Sequence, residues 1–180
     1  MLFRSYCDLD TVAGPVPLHL ALRDEKEHTT ACIWTELVMS PVVAMVNPAN
    51  THPVRQGVPE LSGNRFANYA MAATAKHPLI LAILREIKVR VAHVKRLGMY
   101  TPSSIDDYTV LFTTGPDVVT HVVRRLLNKR VHSPVTRGDE VATDQERQEM
   151  LGGVRILSLA ESNEVLRHTA TGSWRHHTDQ

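Results

Sequence analysis

The chain has 180 residues, 43% of them apolar and 22% charged, with a formal net charge of +1. That is the composition of one ordinary globular domain, and it gives no bulk electrostatic case for nucleic acid or for an anionic membrane. Two cysteines, Cys7 and Cys32, make neither a disulfide framework nor a zinc spacing, ten histidines weigh only slightly toward metal or phosphate chemistry, and no apolar run reaches the roughly 18 residues of a membrane span.

In chain order, MLFRSYCDLD reads as a strand that ends in an acidic cluster, and GPVP at 14–17 breaks the chain. Residues 18–40 are mixed. Val42 to Val46 has the pattern of a short buried strand, followed by a turn rich in Asn and Pro. From Asn64, the spacing of Phe66, Tyr69, Ala70 and Ala73 predicts a helix. Pro78 fits the first turn of a second helix, with Leu79, Ala82, Ile83, Ile87 and Val91 inward and Gly98 as its stop. Thr109 to Phe112 reads as a strand and TTGPD as a turn. The helix that follows turns Val118, Val122, Leu126 and Leu127 inward, with Asp117 as a candidate cap. Residues 132–150 read as a loop or an insertion with a weak helix, VRILSLA at 154–160 as a strand, and the remainder as a loop-rich tail. Strands alternate with helices, so the expected class is α/β.

Asp8 and Asp10 stand one residue apart at the end of the first expected strand. Side chains at i and i+2 of a strand share a face, and converging carboxylates repel unless a cation lies between them or one is protonated. A hard divalent cation, Mn²⁺ or Mg²⁺, is the natural partner of such oxygen ligands and can also bridge a diphosphate. A surface pair capping a turn before AGP explains the same two residues without function.

Four stretches in order, YCDLDT, RFANYAMAATAKHPLILAILREI, TTGPDVVTHVV and RHTATGSWR, together resemble the D-x-D glycosyltransferases of family 32, most closely the fungal initiating α-1,6-mannosyltransferases. The resemblance covers most of residues 6–175, leaving 176–180 as a tail. It implies a GT-A-like fold and a retaining, metal-dependent hexosyltransferase. The implied donor is a nucleotide sugar such as GDP-mannose, the acceptor a glycan, the metal Mn²⁺ or Mg²⁺, and the setting the Golgi lumen, with any membrane anchor outside this chain. Carried over by residue, Asp10 resembles the direct metal ligand. Asp8 resembles the sugar or ribose contact that shares the metal, and Tyr6 the tyrosine on the donor. His168 stands at the position of a C-terminal histidine that contacts metal or phosphate. Thr114 and Gly115 form the turn near the substrates, and Ser173 and Trp174 match a loop that closes over the diphosphate. No catalytic residue is assigned.

The likeness has departures. Phe3 and Arg4 stand where the family has two glycines, and the sequence starts at the acidic motif, without the preceding strand–helix–strand portion that binds the base; an incomplete, N-terminally truncated GT-A-like fold is therefore expected. Two other readings stand beside the transferase. DLDTV also satisfies the D-x-D-x-[TV] signature of haloacid-dehalogenase-like phosphatases, with the first Asp as nucleophile and the second as general acid. That chemistry needs a later lysine and a further acidic pair at a strand end, whereas Asp106 and Asp107 precede an expected strand. The last reading is an inactive transferase-like domain.

Overall fold

A computed structural model describes residues 3–7, 11–15, 29–36, 65–101, 107–127, 131–132, 139–140 and 142–168. The elements run β1 (Phe3–Cys7), β2 (Thr11–Ala13), β3 (Ala31–Glu36), β4 (Arg65–Thr74), α1 (Pro78–Arg96), α2 (Asp107–Thr113) and α3 (Pro116–Leu126). They continue with β5 (Val131–His132), β6 (Asp139–Glu140), α4 (Asp144–Leu151), β7 (Val154–Ile156), α5 (Leu159–Val165) and β8 (Leu166–His168). The content is mixed α and β. The main sheet has the order β1-β4-β3-β7; β2 pairs with β8, and β5 with β6. Because β4 is antiparallel to both β1 and β3, while β3 and β7 are parallel, β1, β3 and β7 all point one way and β4 alone is reversed.

The segment from Asn64 is the largest departure from the sequence reading, because residues 65–74 are a strand and not a helix. The pairing of β3 with β4 breaks register between Ile33 and Thr35, so β4 advances from Met71 to Phe66 while β3 advances from Ile33 to Thr35. Such a bulge shifts the alternation of a strand. Ala67 and Tyr69, then Ala70 and Ala72, consequently reach the same core cluster. Two period-2 patterns offset in this way imitate helical spacing. Residues of the strand also pack against both cores, Ala67, Tyr69, Ala70 and Ala72 in one and Phe66 and Met71 against the other, so no clean polar alternation shows.

Each face of the sheet carries a core. Cys32, Trp34, Tyr69, Leu157 and Val165 gather on one side, with Leu166 of β8 packed against them. Ile33 lies on the other side with Leu79 and Ile83 of α1 and Val118, Val122 and Leu126 of α3. Pro78 opens α1 as expected, its fixed φ suiting the first helical position, and the helix stops at Leu97, before Gly98 at φ +71°.

The stretch Thr109 to Phe112 is helical, inside α2, where a strand was expected. Its β-branched and aromatic residues favour a strand in isolation, but Phe112 is buried against Val94 of α1 and packing decides the outcome. Buried Arg90 completes the arrangement: its guanidinium donates to the Phe112 carbonyl at 3.0 Å and lies 4.7 Å from the ring centroid, while Nε donates to Glu86 at 2.7 Å. Helix α3 buries Val118, Val122 and Leu126 as expected, but Leu127 is exposed. Asp117 lies inside its first turn, and Gly115 holds the cap position.

The stretch 154–160 divides into β7 and the start of α5, since Ser158 and Glu161 form a capping box that starts a helix. A second capping box, Thr143 with Glu146, starts α4 within the segment read as a loop or weak helix. The expected strand at Val42–Val46 lies outside the described residues.

Candidate functional site

Since β1, β3 and β7 are parallel, their C-terminal ends share one edge of the sheet, together with the N-terminal end of β4. Ligand sites in open α/β sheets gather at such an edge. β1 ends there at Cys7, the residue before Asp8, and Cys7 pairs with Ala70. Tyr6 is in β1, opposite Met71. Asp8 and Asp10 themselves lie outside the described residues, between β1 and β2.

The tail returns to this place. β8 pairs antiparallel with β2, with Thr11 opposite His168, Val12 opposite Arg167 and Ala13 opposite Leu166. Directly opposed residues of an antiparallel pair have Cα atoms roughly 4.5–5.5 Å apart. His168 is therefore opposite the residue that follows Asp10, although 158 positions separate Asp10 and His168 in sequence.

Two devices hold β8 in position. Thr35, near the end of β3, donates through its hydroxyl to the Leu157 carbonyl at 2.6 Å, and its N–H donates to the buried Ser162 hydroxyl at 2.9 Å. These bonds tie α5, and so β8, to the sheet edge. Gly14, just after β2, donates its N–H to the Val165 carbonyl at 2.7 Å. A Cβ on Gly14 would run into the carbonyl of Glu164, so only glycine lets the chain approach so closely. The turn expected from AGP is thus a tight backbone contact between the two ends of the molecule.

The Thr114–Gly115 turn reaches the same edge by another route. The Asn68 amide, two residues from the partner of Cys7 on β4, donates to the Thr114 carbonyl at 3.2 Å, and the Phe66 N–H donates to the Thr120 hydroxyl at 3.0 Å. Gly115 has a structural reason of its own. A Cβ there would stand 2.6 Å from Leu111 Cα and 2.7 Å from its carbonyl oxygen, so the glycine lets α2 turn directly into α3. Thr114 is exposed beside it.

All four motif stretches thus have backbone at one edge: β1, the N-terminal end of β4, the turn before α3, and β8. The expectation of a helix from Asn64 hid Asn68 as a tether. An asparagine within the otherwise apolar run NYAMAA was the available signal. Ser173, Trp174 and residues 176–180 lie outside the described residues. Among the described residues, no group of three His, Cys, Asp or Glu side chains gathers to hold a metal ion. The residues that the resemblance implies for Mn²⁺ or Mg²⁺ are Asp8 and Asp10, outside the described residues, and His168, at the end of β8; two carboxylates and an imidazole would fit such an ion chemically.

Away from this edge, local surroundings set the ionisable groups. Cys32 is buried in β3, and desolvation pushes its thiol up to about 12, which favours the protonated thiol at neutral pH. The Glu161 carboxyl is held below its ordinary range, first by hydrogen bonds to Ser158 and then by Arg155, 3.0 Å away. His77, the residue before Pro78, is a helix-junction residue: its Nδ1 accepts from the Leu79 N–H at 3.2 Å and its Nε2 is 3.0 Å from the Thr30 hydroxyl. No family model, no curated protein and no solved structure matches the chain.

Proposed function

We propose that the chain is a metal-dependent glycosyltransferase domain of the D-x-D kind, with a GT-A-like architecture, that transfers a hexose from a nucleoside-diphosphate sugar to a glycan or glycoconjugate with retention at the anomeric carbon. The observation that carries the reading is the pairing of Thr11 with His168. It brings the C-terminal histidine of the motif set to the residue after the acidic pair, at the edge where β1, β3 and β7 end.

In this reading Asp10, Asp8 and His168 hold Mn²⁺ or Mg²⁺, which when bound neutralises charge on the donor diphosphate. Tyr6 and Asp8 position the sugar or ribose. Thr114 and Gly115 line the substrate side, with the turn fixed by Asn68, and Ser173 and Trp174 close over the diphosphate and exclude water. The family likeness makes GDP-mannose the donor to test first and the Golgi lumen the expected setting.

The phosphatase reading has less support. The strands parallel to β1 end in Thr35–Glu36 and at Ile156, followed by Leu157 and Ser158, so neither carries the required acidic pair. Asp107 opens a helix instead of following a strand. One assay separates the two. Mn²⁺-dependent release of GDP from GDP-mannose is expected, reduced on the order of a hundredfold or more in Asp10→Ala. Mg²⁺-dependent hydrolysis of p-nitrophenyl phosphate that disappears in Asp8→Asn, with GDP-mannose untouched, would replace the transferase reading with the phosphatase one.

A further inference from the structure

The outward face of α1 is unusual for a helix on a soluble domain. At about 100° per residue, Leu81, Leu84 and Val89 fall with four cations within an arc of about 140°. The three apolar residues are exposed by 41%, 55% and 44%, and the cations, Arg85, Lys88, Lys95 and Arg96, are all exposed. No acid lies on that face. The single acid of the helix, Glu86, is turned to the side and bonded to buried Arg90.

A solvated helix face ordinarily mixes acids and bases as i,i+4 pairs. The helix dipole accounts for cations in the last turn, Lys95 and Arg96, but not for Arg85 and Lys88 in the middle or for a leucine more than half exposed. The pattern also continues past the helix end. Leu97 and Tyr100 are each 43% exposed, and the Lys95 ammonium lies 5.1 Å from the Tyr100 ring centroid. With 19 residues, α1 offers a strip about 28 Å long.

We infer that this face of α1 docks on an anionic lipid surface. The charge decides for an anionic occupant, since the chain as a whole carries only +1 yet concentrates four cations here without one acid. The apolar residues decide for lipid. Leucines interleaved with long basic side chains are the composition of helices that lie in the headgroup region, where the stems of Lys and Arg pack along apolar surface while their charges reach phosphate. A tyrosine at the end of the strip suits the same boundary. Each basic residue near such a surface contributes about 1 kcal/mol. The helix stays packed on the core through Leu79, Ile83 and Val94, so this is a folded domain resting on a bilayer and not a helix leaving it.

The test uses the whole chain and vesicles, with no nucleotide or metal, so its outcome is independent of the transferase reading. Sedimentation with phosphatidylcholine vesicles doped with phosphatidylserine should show partitioning that is absent with phosphatidylcholine alone and suppressed by high salt. The double variant Arg85→Glu/Lys88→Glu should bind at least roughly tenfold more weakly, and Leu84→Ser should also reduce binding. All three residues are exposed, so circular dichroism should report unchanged folding. Equal partitioning to neutral and anionic vesicles, or undiminished binding by the charge-reversed variant, would overturn the inference. So would failure to bind vesicles while the chain binds an acidic polypeptide such as polyglutamate.

Discussion

His77 shows how one side chain sets a local pH response. The Thr30 hydroxyl donates to the Gly152 carbonyl at 3.1 Å, so toward His77 it accepts, and the ring proton is on Nε2. Nδ1 is left to accept the Leu79 N–H and cap α1. Only the neutral ring does both, and burial lowers the His77 pKa below its ordinary 6.5. The unfolded chain therefore takes up the proton first. The stability that His77 contributes is fully present above 6.5 and is lost as pH falls from there through the lowered folded value. Urea midpoints measured down through this range should fall, and those of His77→Ala should fall less steeply. At neutral pH that variant should cost about 0.5–2 kcal/mol, as for other lost caps. Gly115→Ala is a second residue-scale case. Its Cβ would meet Leu111 backbone, which cannot rotate away, so denaturant unfolding should show a loss of about 1–3 kcal/mol.

At the scale of elements, the legible parts were those whose signals are local. Pro78 at the start of α1, Gly98 at its end and the apolar stripe of α3 each act within a turn or two, and each element stands where its sequence places it. The misread elements depended on distant partners. Strand β4 imitates a helix because a register break against β3 offsets its alternation, and no residue within 65–74 announces that break. Helix α2 is held by Val94 and Arg90 of α1, against the strand preference of Thr109 and Val110. The β2–β8 ribbon is of the same non-local kind, and Gly14 is the residue that permits it. Gly14→Ala should therefore loosen the ribbon before the rest of the fold. Amide exchange at Arg167 and His168 should quicken, while exchange at Ile33 and Ala72, inside the main sheet, stays slow. Equal acceleration at both places would mean that the ribbon is not a separable unit.

For the whole molecule, what matters is that segments distant in sequence meet at one edge. The resemblance implies that the acidic pair and His168 meet at one site, but the sequence does not show the contacts behind the meeting. It follows from the reversed β4, from the Asn68 bond to the Thr114 carbonyl and from the return of β8 to β2. The sequence had no access to these because each is a pairing between segments far apart in the chain. The proposed function requires Asp10 and His168 to act on one ion at that edge. Calorimetric titration of the chain with Mn²⁺ and GDP, on the native protein, Asp10→Ala, His168→Ala and the double variant, tests it most directly. Shared action predicts Mn²⁺-dependent GDP binding that Asp10→Ala abolishes and His168→Ala weakens on the order of ten- to a hundredfold, with the double variant no worse than Asp10→Ala alone. GDP binding that is indifferent to Mn²⁺, or equal in the native protein and Asp10→Ala, would contradict it.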